Sequence, residues 1–261
     1  PEVKRTTQSK RTNDPDAIPT YFTKLTHCVV QLIPPRGLIP TVCMGERAFP
    51  VVNFSLPADK SEGLSCEIQL PIISAAIKGN GRVICFPQIQ MVTKKLVRLA
   101  DNRRLLQNAF AWITEGFSSL NPIYAIGIEK PYIVELTRVC DELGLFVEFG
   151  TFKPNYNNYK AIIIASDVMF PDDESTEAIA NHAIQRGGGI AVFYQDVYMN
   201  LQINRLLAHF NLAYTYCIFN QESDVLDPIS VPTSFSSIKD QTFPALQEEF
   251  KQVIKSDDIN L

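Results

Sequence analysis

The order of apolar and polar positions divides the chain into a proline-punctuated part and a part with longer, regular periods. Between residues 25 and 73, apolar residues form short strand-like runs separated by turn signals such as residues 34–37, PPRG. From Gly79 onward, strand-sized apolar runs alternate with stretches whose apolar residues recur at helical spacing. The first part therefore predicts short β segments, and the second predicts a regular α/β unit.

The regular unit is predicted to consist of strands that alternate with helices. The strands fall at residues 82–87, 123–128, 145–149, 161–165 and 190–194, and the helices at residues 100–114, 131–143, 172–186 and 200–210. Strands that are apolar on both faces and separated by helices are typical of a parallel sheet covered on both sides. We therefore predict a three-layer α/β sandwich with a mostly parallel, flavodoxin-like sheet. The apolar stripe of the first helix predicts that Trp112 is buried.

Polar segments flank this unit at both ends. Residues 1–24 show no apolar periodicity and predict an extended, basic N-terminal arm. Residues 25–220 form the predicted α/β domain with its β-rich N-terminal part. Residues 221–261 form a predicted C-terminal tail, which begins rich in Ser, Pro and Asp and ends in a charged helix near residues 245–255.

Composition places the chain among globular proteins. It has 261 residues, of which 46% are hydrophobic and 20% are charged, and no run approaches the roughly 18 apolar residues that cross a bilayer. We therefore predict a soluble protein without membrane insertion. The absence of a visible secretory signal and of any C-x-x-C spacing among the six cysteines predicts reduced core cysteines in a cytoplasmic protein.

The arm differs in charge from the rest of the chain. Residues 1–24 carry a net charge of +2, whereas the remainder carries −6. We therefore predict that Lys4, Arg5, Lys10 and Arg11 bind an acidic partner. We also predict that the protein belongs to a larger protein assembly. The tubulin lattice of a ciliary or flagellar microtubule is an acidic polymer and would suit the arm by charge.

Glycine and histidine positions argue against phosphate-loop and zinc chemistry. Residues 187–189 are three glycines, but they follow a helix and precede a strand, which predicts a helix C-cap rather than a phosphate loop. His27, His182 and His209 show no zinc-ligand spacing, and the acidic run 172–174 lacks the spacing of a calcium loop. We therefore predict no metal site and no cofactor.

A basic stretch near the first helix is predicted to be a solvated face. It contains Lys94, Lys95, Arg98, Arg103 and Arg104. No aromatic residue that could stack on a base accompanies them, so the sequence does not predict a nucleic-acid partner.

Polar residues follow two of the predicted parallel strands. Asp167 comes after the strand at 161–165, and Tyr194, Gln195 and Asp196 come at the end of the strand at 190–194. Because open α/β sheets bind ligands at the carboxyl ends of their strands, these four residues form the candidate crevice. A hydrolase or transferase that uses this crevice is one alternative for the function.

Three motifs carry a resemblance to a known family. They are residues 73–83 (ISAAIKGNGRV), 105–113 (LLQNAFAWI) and 186–190 (RGGGI). In this order and spacing, the chain over roughly residues 45–220 resembles the class I glutamine amidotransferase-like domain of TRP-channel-associated factors and of enhancin-like (M60-type) metallopeptidases. The resemblance implies an amidotransferase-like α/β fold and a helix of small residues before Gly79. In the turn after residues 81–83, Phe86 and Pro87 depart from the family pattern.

The resemblance also bears on catalysis. In true amidotransferases a cysteine follows an apolar strand and is activated by a later histidine, whereas here the glycine-led strand continues into Tyr194 and Gln195, and no histidine follows His209. We therefore predict no catalytic residues and a non-catalytic binding or structural module. An accessory domain of an enhancin-like metallopeptidase, whose zinc motif would lie downstream of this domain, is the remaining alternative.

Overall fold

A seven-stranded mixed sheet lies at the centre of the molecule. The structure is a computed structural model, and it describes residues 17–35, 37–56, 68–117, 121–153, 155–165, 172–195, 202–215 and 228–238. The sheet has the order β3-β4-β5-β9-β8-β6-β7. Its strands are β3 (Ala48–Leu56), β4 (Ile68–Lys78), β5 (Gly81–Phe86), β6 (Ile123–Ile126), β7 (Val147–Gly150), β8 (Ala161–Ala165) and β9 (Gly189–Phe193).

The sheet changes character at β5. Strands β3, β4 and β5 pair antiparallel, whereas β5, β9, β8, β6 and β7 pair parallel. The helices are α1 (Ile18–Thr26), α2 (Lys94–Val97), α3 (Asn102–Thr114), α4 (Lys130–Asp141), α5 (Asp173–Arg186) and α6 (Ile203–Ala208). Four short strands form two further pairs: β1 (Gln31–Leu32) with β11 (Ile229–Ser230), and β2 (Thr41–Cys43) with β10 (Leu212–Tyr214).

Helices cover both faces of the sheet. Because side chains alternate across a strand, Ile84 and Phe86 belong to the apolar core beneath α1, α3 and α4, and Val83 and Cys85 belong to the core beneath α5 and α6. Every residue of β8 and β9 is buried. The predicted three-layer α/β sandwich is confirmed.

The three glycines at 187–189 act as the sequence predicts. Gly187 ends α5 in the left-handed conformation, with φ of 77°. A Cβ on Gly188 would lie 2.0 Å from Nε2 of His182, and one on Gly189 would lie 2.2 Å from the carbonyl oxygen of Ile113. The glycines therefore permit a close approach of the chain to α3 and α5.

The segment before Gly79 is a strand and not the helix of small residues that the resemblance implied. Residues 68–78 form β4, which lies between β3 and β5 and turns into β5 through Gly79 and Asn80. Alanine has the highest intrinsic helix propensity, but such propensities are small in energy, and pairing on both sides of a strand overrides them.

The end of the expected arm is also different from its prediction. Residues 18–24 belong to α1, because Ile18, Tyr21, Phe22 and Leu25 recur at helical spacing and all four are buried. The boundary expected at residue 24 therefore falls inside a helix that packs against the domain. Residues 1–16 lie outside the described residues.

A buried arginine joins α1 to the sheet. The Arg82 guanidinium lies 5.2 Å from the ring centre of Tyr21 and 5.6 Å from that of Trp112. It donates hydrogen bonds to the Trp112 carbonyl at 2.6 Å and to Glu115 at 2.5 Å, and Lys24 donates to the same carboxylate at 2.7 Å. Trp112 is 2% exposed, which confirms its predicted burial.

Other predicted elements differ only at their ends. The strand expected at 145–149 begins two residues later as β7, and the helix expected at 200–210 is α6. The helix predicted near residues 245–255 lies outside the described residues. Within the described ranges, no helix combines the length and the apolar character needed to span a bilayer.

Candidate functional site

A crevice lies at the carboxyl ends of β6 and β7. It has a volume of about 530 Å³ and is lined by residues 125–128 and 149–152. Helix α4 begins at Lys130, directly beyond this lining. Ligands of open α/β sheets bind at this edge, and the volume falls within the range of roughly 300–1,000 Å³ that small-molecule sites occupy. The crevice is therefore a candidate binding site.

The lining of the crevice is uncharged. None of the residues at 125–128 and 149–152 carries an ionisable side chain. Phe149 is 36% exposed, and Thr151 supplies the lining's side-chain hydroxyl. Gly127 and Gly150 contribute only backbone to the lining. Such a surface suits an uncharged ligand that combines an apolar face with hydrogen-bonding groups.

A lysine held over tyrosine rings supports one wall of the crevice. The Lys153 ammonium lies 4.0 Å from the ring centre of Tyr124 and 4.7 Å from that of Tyr159. It donates a hydrogen bond to the Tyr159 hydroxyl, which donates in turn to Glu148 at 2.7 Å. The bond to Tyr159 raises the pKa of Lys153, so the ammonium stays protonated at neutral pH.

The same cluster fixes the backbone of that wall. The Tyr124 hydroxyl donates to the Thr151 carbonyl at 2.8 Å, and the Lys153 amide donates to the Tyr156 hydroxyl at 3.0 Å. A Cβ on Gly150 would lie 2.2 Å from the Tyr124 hydroxyl oxygen, so any other residue there would displace the Tyr124 side chain. These contacts join a strand to a loop, and no local sequence pattern marks them.

The crevice predicted from the sequence lies at the ends of β8 and β9, and two of its four residues are described. Tyr194 is 2% exposed, and its ring centre lies 5.2 Å from that of Tyr214 in the core. Gln195 follows it and is half-buried. Neither belongs to the lining at 125–128 and 149–152. Asp167 and Asp196 lie outside the described residues, so their predicted roles stay predictions.

The described cysteines that lie in strands or helices are buried and protonated. Burial raises the pKa of Cys43 and of Cys140 to about 12, and it raises that of Cys85 as well. Cys140 belongs to the core beneath α4, whereas His182 lies on α5 across the sheet. This histidine therefore cannot reach that thiol. Cys66 and Cys217 lie outside the described residues.

His182 has a buried imidazole ring on α5. Neither of its ring nitrogens has a partner among the described residues, and its ring centre lies 6.3 Å from that of Tyr156. Burial, together with the nearby Arg186 charge, lowers the pKa of His182 to about 4. It is therefore neutral at physiological pH.

The structure brings one cysteine and one histidine together that sequence reasoning did not pair. Sγ of Cys28 lies 3.4 Å from Nε2 of His27, on an exposed turn after α1. Cys28 has a φ of 56°, in the left-handed region. Neither residue belongs to the crevice lining at 125–128 and 149–152, and the adjacency of the two in the sequence was the available signal.

Two further predictions concern ions and the arm. Within the described ranges, no three His, Cys, Asp or Glu side chains come together in a way that would hold a metal ion. The predicted partner-binding residues Lys4, Arg5, Lys10 and Arg11 lie outside those ranges. Their binding to an acidic assembly, tubulin included, stays a prediction.

Comparison with known proteins finds solved structures with a similar fold. No protein-family model matches the chain, and no curated protein matches it. Solved structures of IMPa metallopeptidase match: the complex with T-antigen has a TM-score of 0.57 at 12% identity. The complex of IMPa from Pseudomonas aeruginosa with an O-glycopeptide has a TM-score of 0.56 at 13% identity.

These matches concern a part of the other protein. Each covers 77% of this chain, and the chain spans 22% of the length of IMPa. At such identities the likeness shows the fold alone. The neighbours are enhancin-like (M60-type) metallopeptidases, one of the two groups of proteins that the resemblance names. The resemblance to a glutamine amidotransferase-like domain stays a prediction.

Proposed function

We propose that this chain is an accessory, non-catalytic binding domain of an enhancin-like metallopeptidase. The observation that supports the proposal is the match of its three-layer fold to 22% of the length of IMPa. A segment of that relative size is suited to a domain that accompanies a catalytic unit. The motifs at residues 105–113 and 186–190 support the same assignment.

The chemistry of the described residues favours binding over bond cleavage. The crevice lining at 125–128 and 149–152 offers aromatic and backbone groups without a general acid or base. The thiols of Cys43, Cys85 and Cys140 are buried and hold their protons at neutral pH. A cysteine nucleophile requires a thiolate.

The solved complexes suggest which ligand to test first. IMPa has been seen with T-antigen and with an O-glycopeptide. We propose that the crevice of this domain contacts a glycosylated peptide of the same general kind. Phe149 would provide an apolar platform, and Thr151 and the backbone at Gly127 and Gly150 would provide hydrogen bonds.

Titration of the purified chain with an O-glycopeptide, and with the same peptide lacking the sugar, tests this proposal. We expect binding of the glycosylated form only, and a loss of about tenfold in affinity for Phe149→Ala. Phe146→Ala is the matched control, because Phe146 is 71% exposed and does not line the crevice. Equal effects of both variants would contradict the proposed site.

Hydrolysis assays test the non-catalytic part separately. The purified chain is incubated with glutamine and with the glycopeptide, and we expect no turnover of either. The Cys28→Ser variant serves as the control for the exposed pair of Cys28 and His27. Turnover by the wild-type chain that this variant loses would show that the domain is an enzyme.

A further inference from the structure

The densest positive charge in the described part of the chain lies in residues 94–104. This segment contains five basic residues and one acidic residue, a net charge of +4, whereas the whole chain has −4. It comprises α2, the turn after it and the first residues of α3. A concentration of charge against the sign of the remaining chain indicates an interaction surface.

The acidic groups near this segment are already engaged. Oδ2 of Asp101 accepts hydrogen bonds from the amides of Val30 at 2.8 Å and Gln31 at 3.1 Å. These bonds, with a smaller contribution from the nearby charge of Arg104, lower the pKa of Asp101, so it remains ionised and held to the β1 segment. Arg103 pairs with Glu142, with Nε donating to Oε2 at 2.9 Å.

Four cations remain, and we call them the cationic surface. They are Lys94, Lys95, Arg98 and Arg104, and all are exposed. None of the four forms an ion pair with a residue in the described ranges. Clustered like charges repel one another, so this arrangement is not explained by a contribution to folding.

The backbone beneath the cationic surface is fixed. Asn102 is fully buried, and its side-chain amide donates to the carbonyls of Leu96 at 2.9 Å and Ile33 at 2.7 Å. Thr93 caps α2 by accepting from the Leu96 amide at 3.3 Å. Because α2 and the start of α3 are tied to each other, the cations are presented on a rigid base, which limits the entropy lost on binding.

The chemistry of the segment selects among anionic partners. No aromatic residue occurs in residues 93–104, so nucleobases have no stacking platform. Helix α2 has four residues, too few to occupy a major groove. None of the exposed large apolar side chains in the described ranges belongs to the segment, so the anchors of a protein interface are also missing.

We propose that the cationic surface binds an acidic polysaccharide through its sulfate or carboxylate groups. A flexible sugar polyanion needs closely spaced cations and neither a stacking platform nor an apolar anchor. Each cation displaces a counterion from the polymer. This inference does not depend on the proposed function, because the surface lies on α2 and α3 and shares no residue with the crevice lining at 125–128 and 149–152.

The proposal predicts how strongly binding depends on salt concentration. With four contacts to a flexible polyanion, log K falls with log salt at a slope of about −3. The affinity is then expected to fall about fifty-fold between roughly 50 mM and 200 mM salt. The measurement is titration of the full chain with a size-defined heparin oligosaccharide over this range.

Matched variants separate the effect of the cationic surface on binding from the effect of net charge. The test variant carries Lys94→Gln, Lys95→Gln and Arg98→Gln. The control carries Lys78→Gln, Lys130→Gln and Arg186→Gln, which removes the same charge from exposed positions elsewhere. A third variant neutralises Lys4, Arg5, Lys10 and Arg11. We expect a loss of at least about tenfold in heparin affinity for the test variant alone.

Three results would overturn the proposal. One is equal loss of affinity in the test and control variants, which would mean that net charge alone is responsible. Another is loss in the arm variant with none in the test variant. The third is competition by duplex DNA or poly-glutamate as effective as by free heparin, which would assign the surface to a different class of polymer.

Discussion

Acid should destabilise this protein through His182, whose environment strongly disfavours the charged imidazole. The residue is 4% exposed, and Gly188 brings the backbone against its Nε2. Arg186, one turn further along α5, adds a like charge, and the Tyr156 ring provides no carboxylate to balance it. The folded protein therefore resists protonation of this histidine, whereas the unfolded chain accepts the proton at the ordinary pKa.

The magnitude follows from the two pKa values. The pKa of His182 is about 4 in the folded protein and 6.5 when unperturbed, and each unit corresponds to about 1.36 kcal/mol. Above pH 6.5 the histidine is neutral in both states and contributes nothing. As the pH falls from 6.5 to 4, only the unfolded state is protonated, so the free energy of unfolding drops by about 3 kcal/mol.

Urea unfolding of wild type and His182→Gln at several pH values measures this contribution. Glutamine does not titrate, so we expect the variant to lack the loss between pH 6.5 and 4 that the wild type shows. Carboxylates with lowered pKa, such as Asp101 and Asp172, lose their contributions at still lower pH and do so in both proteins. Parallel pH profiles, or an imidazole that titrates near its ordinary pKa by NMR, would refute the reasoning.

Further expected outcomes concern packing and reactivity. Arg82→Ala removes the guanidinium beside Trp112. We expect the free energy of unfolding to fall by about 2 to 3 kcal/mol and the fluorescence emission of this single tryptophan to shift to the red. Gly188→Ala places a Cβ 2.0 Å from a ring nitrogen, and its melting temperature should fall more than that of Gly144→Ala. In the latter variant nothing lies within 4 Å, and backbone strain of about 1 kcal/mol remains. Peptide mapping after brief native alkylation should find Cys28 modified and the three buried described thiols intact.

The parallel strands could be predicted from the sequence because their signal is local. Residues 161–165 and 190–194 are apolar at every position, and strands buried on both faces require this. The same holds for the C-cap at 187–189, since a glycine run between a helix and a strand has few other uses. These features need no knowledge of distant parts of the chain.

The errors arose where distant residues decide the structure. Residues 73–78 contain two alanines and resemble a helix, yet their partners in β3 and β5 make them a strand. The apolar residues of α1 do recur at helical spacing, but only within nine residues that follow a polar segment. The contact of Tyr21 with Arg82, some sixty residues away, leaves no local signal. The contact between Tyr124 and Lys153 at the wall of the crevice likewise joins residues that are distant in the sequence. A single sequence does not show such pairings.

The junction between β5 and β9 has a consequence for the order of folding. It joins residues roughly one hundred positions apart, such as Arg82 and Gly189. Strands β3 to β5 are neighbours in sequence, and β6 to β9 are connected by short crossovers, so each group can form from nearer contacts. Loop closure favours the nearer contacts kinetically. We therefore expect the two groups to form first and to join late, with the amide hydrogens of β5 and β9 gaining protection together in the final step.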